Sequence, residues 1–237
     1  MLKALYEHLE ESFKNFVFAC ERGCNFCCTN RLFVTSLEAK FIFDVLEERD
    51  FLLWKDYSFP IPRITHNQTL WLYFQGEEPP FEEFSELTSC PFLTQSGLCA
   101  IYERRPLMCR IMVSKRQCTP DNPAEPPKEA YLMGLLALQI VENIDVGGLY
   151  GNLFLLLNLW KDFYGGVIEE IPPYFLPTHT FEELPLLPSE RELRTWVGTL
   201  YRKKLNLGLT FRELLDQIRR DFKKTQSLSF LEDIFTS

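Results

Sequence analysis

Eight cysteines lie in the first half of this chain, and four of them fall within nine consecutive positions. The stretch ACERGCNFCC contains these four: Cys20, Cys24, Cys27 and Cys28. The other four are spaced more widely: Cys90, Cys99, Cys109 and Cys118. The last 119 residues contain no cysteine. Thiolates in such numbers are the ligands of zinc ions and of iron–sulfur clusters, so the clustering predicts a metal centre.

The thiols point to metal only if they stay reduced, which depends on the cellular compartment. No stretch reaches the roughly 18 apolar residues that a membrane helix needs. The first residues, MLKALYEHLEE, carry three glutamates and lack the apolar region of a signal peptide. We therefore predict a cytoplasmic protein without a membrane partner, in which clustered cysteines bind metal rather than form disulfides. Buried free thiols are the alternative, since cysteine also packs as a small apolar residue.

The charge of the chain argues against a general nucleic-acid-binding role. The net charge is −8 and the isoelectric point is near 5.1. Residues 189–224 differ, because they hold ten Lys and Arg against five Asp and Glu. This basic segment is a candidate docking surface for an acidic protein partner or RNA. Two amphipathic helices with solvated basic faces would have the same composition.

Apolar periodicity predicts the elements of the first half of the chain. We expect a helix over residues 2–20 and a short strand in RLFV. A further helix should begin after the Thr35 and Glu38 capping pair and run to about residue 48. TLWLYF, residues 69–74, has strand character. CPFLTQSGLCAIY, residues 90–102, predicts a hairpin that would place Cys90 and Cys99 opposite each other.

A proline-rich break over residues 119–129 suggests a boundary between two domains. Residues 1–124 would form a cysteine-rich module stabilised by metal, and residues 125–237 a helical domain without an assigned role. Helices are predicted over 129–145, 149–164, 190–206 and 211–224. Ser189 with Glu192 and Thr210 with Glu213 form capping-box patterns for the last two. The predicted fold class is mainly α with a small β-hairpin element.

The spacing of the cysteines leaves the number of metal sites open. Zinc ribbons use two C-x-x-C knuckles, but only Cys24 and Cys27 have that spacing here. Eight cysteines can fill two four-cysteine sites, or one site with cysteines to spare. Ligands of one site can also come from both groups. Thiolates accept zinc and iron alike, so the sequence does not choose between zinc and an iron–sulfur cluster.

A second interpretation concerns the first three cysteines. Cys20, Cys24 and Cys27 have the C-x3-C-x2-C spacing of radical S-adenosylmethionine enzymes, in which three thiolates hold a [4Fe–4S] cluster. That motif normally follows the first strand of a β/α barrel, whereas here a helix is predicted before it. No glycine-rich segment for S-adenosylmethionine is evident. Catalytic residues cannot be assigned, so whether the protein is an enzyme stays open.

The second cysteine group carries a family resemblance. CPFLTQSGLCAIYERRPLMCR contains a C-P-x-L segment from Cys90, a C-x-I-Y segment from Cys99 and an R-P-x-x-C-R segment ending at Arg110. Together with CNFCC, residues 24–28, it resembles the YkgJ-like cysteine-cluster family, also described as the CxxCxxCC zinc- or iron-chelating domain. The resemblance spans about residues 16–120. The family usually has two residues between its first two cysteines, whereas three separate Cys20 from Cys24.

The resemblance implies a protein that chelates zinc or an iron–sulfur cluster. Some members are associated with iron–sulfur-dependent protein lysine methylation, which supplies a methylase-like alternative. Four thiolates around Zn²⁺ carry a net charge of −2, which is costly to bury without compensation. Arg104, Arg105 and Arg110 are candidates to offset that charge from beside the ligands. Pro106 fixes the backbone so that Cys109 can turn inward.

Overall fold

The computed structural model describes residues 1–81, 87–168, 170–205 and 208–225. Within these residues the α-helices are α1 Leu2–Phe13, α2 Ser36–Phe43, α3 His66–Gln75, α4 Leu107–Ile111, α5 Lys128–Ile144, α6 Leu153–Tyr164, α7 Arg191–Arg202 and α8 Phe211–Thr225. Two 3-10 helices span Glu48–Trp54 and Tyr102–Arg104. The strands are β1 Phe33–Thr35, β2 Leu149–Asn152 and β3 Leu176–Pro177. The predicted class, mainly α with a small β element, is confirmed.

The β element is a three-stranded antiparallel sheet in the order β1-β2-β3. Val34 pairs with Gly151, and Tyr150 pairs with Leu176, so the strands come from distant parts of the chain. The hairpin predicted over residues 90–102 was wrong in its extent. Only an isolated bridge joins Leu93 to Cys99, around a turn in which the Thr94 amide donates to the Leu98 carbonyl.

Two further predictions about the first half were wrong. The first helix ends at Phe13 rather than at residue 20, so Cys20 lies in a loop. TLWLYF belongs to helix α3 and is not a strand. Thr65 and Gln68 form a capping box at the start of α3, and Gly76 ends it in the left-handed conformation. These end signals outweigh the strand propensity of the apolar residues between them.

The capping predictions for the other helices had mixed outcomes. The Thr35 hydroxyl accepts from the Glu38 amide at the start of α2, as predicted. Thr210 and Glu213 form the predicted reciprocal pair at α8. Ser189 does not cap α7, because Glu190 occupies that position. The helix predicted over residues 149–164 begins instead at Leu153, after strand β2.

Apolar residues from both halves of the sequence share two cores. One core joins Leu5 and Leu9 of α1 to Ile140 of α5, Leu200 of α7 and Phe211 of α8. The other packs β1, α2 and α6 around the Glu48–Trp54 segment and carries the cysteine loops on one side. The division at residues 124 and 125 stays a prediction, and both cores include residues on either side of it. No helix in the described ranges is long and apolar enough to cross a membrane.

Candidate metal centre

Seven of the eight predicted cysteines line a single cavity of about 120 Å³, which we call the cysteine basin. They come from three loops and one short helix: Cys20, Cys24, Cys27, Cys28, Cys90, Cys99 and Cys109. Cys118 does not line the basin and lies in the loop after α4. It is near enough to Cys20 to raise the pKa of the Cys20 thiol. Cysteines up to 89 positions apart in sequence therefore line one cavity.

Backbone pairing between two loops brings Cys28 beside Cys90. The Cys90 amide donates to the Cys28 carbonyl at 3.0 Å, and Thr29 forms a bridge with Ser89. Asn30 closes the pairing: its amide donates to the Thr88 carbonyl, and its side-chain oxygen accepts from the Thr88 amide. Asn30 is 1% exposed, so this amide side chain is a buried structural clamp for the first cysteine loop.

Two glycines allow the first loop to approach the 94–98 turn closely. Gly23 and Gly97 both have positive φ, at 97° and 76°. A Cβ atom on Gly97 would lie 2.9 Å from the Asn25 side-chain nitrogen, and one on Gly23 would contact Leu98. The positive φ at Gly97 therefore favours glycine, and a Cβ atom there would also displace the end of the Asn25 side chain. Cys24, Cys27 and Cys99 all line the basin at this approach.

Helix α4 carries Cys109, which also lines the basin. Pro106 is its N-cap, and the Cys109 amide donates to the Pro106 carbonyl, as the predicted turn requires. The Leu107 amide donates to the carboxyl of Glu38 at 2.7 Å, and the Tyr6 hydroxyl donates to the same oxygen at 2.6 Å. Glu38 is 1% exposed and thus joins α1, α2 and α4 at one buried carboxyl.

Ser114 holds the loop that carries Cys118. The Ser114 side chain is fully buried, and its hydroxyl accepts from the amides of Arg116 and Glu125. Its carbonyl accepts from the Ala19 amide at 2.8 Å, which fastens this loop to the chain just before Cys20. The backbone of Ser114 also forms a hydrogen bond with the Cys20 thiol, which offsets part of the rise that burial causes in the pKa of Cys20. The sequence pattern indicated Glu38 only as a capping residue and gave no role to Asn30 or Ser114, because a polar residue reveals its burial only in the fold.

The pKa values divide most of the thiols into two neighbourhoods. In the first, burial raises the pKa of Cys20, and Cys24, Cys118 and Cys27 add to that rise. In the second, burial raises the pKa of Cys90 to about 11 and that of Cys109 well above its usual range. Cys90 and Cys99 add to the rise at Cys109, so these three thiols are near enough to influence one another electrostatically.

Cys27 and Cys28 connect the two neighbourhoods. Their thiols form a hydrogen bond, which raises the pKa of Cys27 and lowers that of Cys28. Cys28 is otherwise influenced by Cys109, Cys90 and Cys99, whereas Cys27 contributes to the pKa of both Cys20 and Cys109. Of the adjacent pair, Cys28 therefore belongs to the second neighbourhood, whereas Cys27 lies between the first and second neighbourhoods.

The thiols share one cavity, but their sulfur atoms do not form a complete coordination shell for a metal ion. Within the described residues, no three His, Cys, Asp or Glu side chains are close enough together to hold a metal ion as they stand. The donor chemistry nevertheless fits zinc or an iron–sulfur cluster, both of which take four thiolates. Side-chain rotations in the loops would be needed to close the ligands around either one.

Of the three candidate arginines, Arg105 is the one that lines the basin. Its positive charge lowers the pKa of Cys27, Cys99 and Cys109, against the larger effect of burial. Its guanidinium lies 3.7 Å from the centre of the Tyr102 ring. Arg104 instead stacks on Phe41, and Arg110 pairs with Glu10.

Two of the three histidines are placed away from the basin. The His8 ring contacts the Trp196 carbonyl and stacks on its indole. The His66 ring contacts the Leu135 carbonyl, and burial lowers its pKa to about 4. Both rings serve packing between helices, so the metal-ligand candidates remain the cysteines.

The basic segment 189–224 is partly neutralised within the chain. Lys203 pairs with Glu7 of α1 at 3.4 Å, and Arg219 pairs with Glu182 at 3.1 Å. Arg212 pairs with Asp216 on its own helix. These pairs consume part of the local positive charge. A protein partner at this segment stays a prediction.

One family matches the chain by sequence. The CxxCxxCC family, described as "Putative zinc- or iron-chelating domain", matches residues 19–126. Residues 19–126 are a CxxCxxCC domain. The matched range begins one residue before Cys20 and ends after Cys118, so it contains all eight cysteines. The family resemblance is thereby confirmed, and the match supports metal binding in general. No curated protein and no solved structure matches the chain.

Proposed function

We propose that the CxxCxxCC domain of this protein binds zinc or an iron–sulfur cluster through two four-cysteine sites. The observation that carries the proposal is the cysteine basin, in which thiols from distant loops share one small cavity. Thiols scattered through a core as packing residues would not be expected to converge in this way. The family description, zinc or iron chelation, agrees with this chemistry.

The first proposed site consists of Cys28, Cys90, Cys99 and Cys109. These four are supported by their mutual effects on pKa and by the backbone pairing of Cys28 with Cys90. Three of them are held by defined backbone geometry: the 28–30 pairing, the bridge at Cys99 and helix α4. Arg105 supplies positive charge beside this set.

The second proposed site consists of Cys20, Cys24, Cys27 and Cys118. The effects of Cys24, Cys27 and Cys118 on the pKa of Cys20 support this grouping. Its loops are held by the Ala19–Ser114 hydrogen bond and by the turn in which the Cys24 amide donates to the Glu21 carbonyl. Cys24 is exposed, so this site lies nearer the surface than the first.

The size of the basin supports an inorganic occupant. Pockets for organic cofactors usually measure about 300–1,000 Å³, whereas the basin measures about 120 Å³. The radical S-adenosylmethionine alternative needs a β/α barrel around its motif. In the described ranges the sheet has three antiparallel strands, and Cys20 follows a helix and a loop. We therefore favour metal binding over that enzyme class.

Anaerobic purification followed by metal and sulfide analysis tests the proposal. We expect either two zinc ions per chain in a colourless protein, or iron with acid-labile sulfide and an absorption band near ~400 nm from the cluster. A folded protein with eight titratable thiols and no bound metal after incubation with zinc, and after cluster reconstitution, would refute it.

Serine substitutions test the division into two sites. If zinc is bound, Cys90→Ser and Cys109→Ser should each remove one ion, and the double variant should also remove only one. Combining Cys90→Ser with Cys20→Ser should remove both ions. Met112→Leu is the matched control, because Met112 lines the basin without a thiol. Loss of both ions in every single variant would mean that the ions share ligands, against two separate sites.

A further inference from the structure

On the side of the molecule formed by α2, α5, α6 and α8 lies an apolar groove of about 550 Å³, which we call the α8 groove. Its floor is made of side chains that are each 6–8% exposed: Leu2, Ile144, Val146, Leu149, Leu159 and Trp160. Leu37 and Phe41 of α2 form one wall, and Leu214 and Ile218 of α8 form the other. None of the eight cysteines lines it.

One strip of the apolar face of α8 is only partly buried where it lines the groove. Phe211 and Leu215 on this helix are fully buried in the core. Leu214 and Ile218, on the adjoining strip, remain partly exposed where they line the groove. An amphipathic helix normally buries its whole apolar stripe, so this strip and the floor beside it are suited to a further apolar segment.

We propose that residues 226–237 of this same chain occupy the α8 groove. Helix α8 ends at Thr225, seven residues after Ile218, which is about 10 Å along a helix. Near that end Phe222 packs on Gly147, next to Gly148 of the groove. The segment therefore begins beside the groove. The polar residues Gln226 and Ser227 precede its first apolar residue and allow the chain to turn back.

The composition of the segment matches the groove. In QSLSFLEDIFTS five residues are large and apolar: Leu228, Phe230, Leu231, Ile234 and Phe235. Its charged residues, Glu232 and Asp233, are both acidic. The groove is lined by Lys3 and by Lys40, the latter also paired with Asp44 on its own helix. The Asp145 carboxyl at the floor accepts from the Ser36 hydroxyl and the Leu37 amide, and so is turned toward α2.

Occupation of the groove would link the two halves of the protein. The segment would contact α8 and the end of α5 from the helical part and α2 from the CxxCxxCC domain. Helix α2 also carries Glu38, which holds the N-terminus of α4 and Cys109. The segment would thus stabilise the packing of the metal domain without contributing a ligand.

Photo-cross-linking in the full chain tests the proposal. Phe230 or Phe235 is replaced by p-benzoylphenylalanine, and the cross-linked peptides are identified by mass spectrometry. We expect cross-links within one chain to residues 1–3, 37–41, 144–149 or 214–218, in a yield that does not change on tenfold dilution. The same photoreactive residue at exposed Tyr131 is the control position. Cross-links only between chains would assign the groove to a second copy and would overturn the proposal, as would cross-links to no groove residue.

Binding of an apolar dye supplies a second readout. We expect 1-anilinonaphthalene-8-sulfonate to fluoresce several-fold more with a chain ended at Thr225 than with the full chain. The full-length double variant Leu231→Asp, Phe235→Asp should behave like the shortened chain, which keeps the test valid if truncation prevents folding. Ser229→Asp with Ser237→Asp adds the same charge and should leave the fluorescence low. Equal fluorescence from all folded forms would show an open groove or another occupant, and would overturn the proposal.

Discussion

The cysteine basin and the helical core both bring distant parts of the chain together, but they do so with different contacts. The core around Leu5, Ile140 and Leu200 is built from helices that bury apolar side chains of α1, α5, α7 and α8 against one another. The basin is built from turns, one five-residue helix and an isolated bridge. Its loops are joined by a few hydrogen bonds between polar and backbone groups. The comparison predicts that the core is stabilised mainly by apolar burial, whereas the basin depends on bound metal.

The largest expected effect is that of metal removal, which should act on the basin alone. Structural zinc contributes on the order of 10 kcal/mol to small zinc domains. After removal by a chelator, amide hydrogen exchange should accelerate strongly in residues 19–30 and 88–118. Residues 128–164 should keep their protection. Uniform acceleration over both regions would show that core and basin unfold as one unit. It would contradict the claim that metal stabilises the basin alone.

A substitution in the core should lower the stability of the fold without changing the amount of bound metal. Leu9 is fully buried, so Leu9→Ala should lower the free energy of unfolding by about 2–5 kcal/mol. The bound metal per folded chain should not change. Leu187→Ala is the matched control, because Leu187 is 62% exposed and its truncation should cost below about 0.5 kcal/mol. Denaturant unfolding and metal analysis measure the two quantities; a loss of metal from folded Leu9→Ala would contradict the separation.

The pH dependence of stability should originate in the helical part. Burial raises the pKa of Glu142 to about 7, whereas an unfolded glutamate has a value of about 4.3. Between these values the folded state binds more protons, so the free energy of unfolding should fall as pH rises from about 4.3 to 7, by roughly 3 kcal/mol at most.

Glu142→Gln should flatten that slope, measured by denaturant unfolding in the presence of a chelator at every pH. Asp145, whose pKa burial raises to about 6, should leave a smaller slope of the same sign. Glu77→Gln, at an exposed position, is the control. An unchanged slope in Glu142→Gln would mean that other groups carry the pH dependence.

Glu38 is the point at which core and basin are joined, and its substitution should affect both. Glu38→Gln weakens the hydrogen bonds from Leu107 and Tyr6 in a buried place, at a cost of about 1–3 kcal/mol. The metal affinity of the site that contains Cys109 should fall as well, since α4 loses its anchor. Competition with a chelator measures this affinity. Tyr6→Phe, which removes one donor but leaves α4 anchored, should lower stability with little change in affinity.

The smallest effect is expected from the charge beside the thiols. Arg105→Gln should lower zinc affinity by about tenfold, because the positive charge that favours thiolates is lost. Arg104→Gln should change it much less, since that guanidinium stacks on Phe41. Equal effects of the two substitutions would show that general charge, rather than the position of Arg105, governs the affinity.

Much of the helical part was predictable because its signals are local. Apolar residues at helical spacing predicted α5 and α8, and Thr210 with Glu213 marked the start of α8. The same kind of local signal gave a wrong prediction at TLWLYF, where apolar composition indicated a strand. The capping box at Thr65 and the left-handed Gly76 decide for a helix there. The sheet could not be predicted, because its pairing joins β1 to a strand more than 110 residues later.

The sequence by itself determined the chemistry of this protein: eight thiols in the range matched by the CxxCxxCC family, followed by a mainly helical region. Only the tertiary structure decided which thiols are neighbours. Cys27 and Cys28 are adjacent in the chain, yet Cys28 lies among thiols 62 to 81 residues away. The physical reason is that ligand type is a property of one residue. Ligand grouping depends instead on long-range contacts, such as the Cys90 amide on the Cys28 carbonyl and α4 on the buried Glu38.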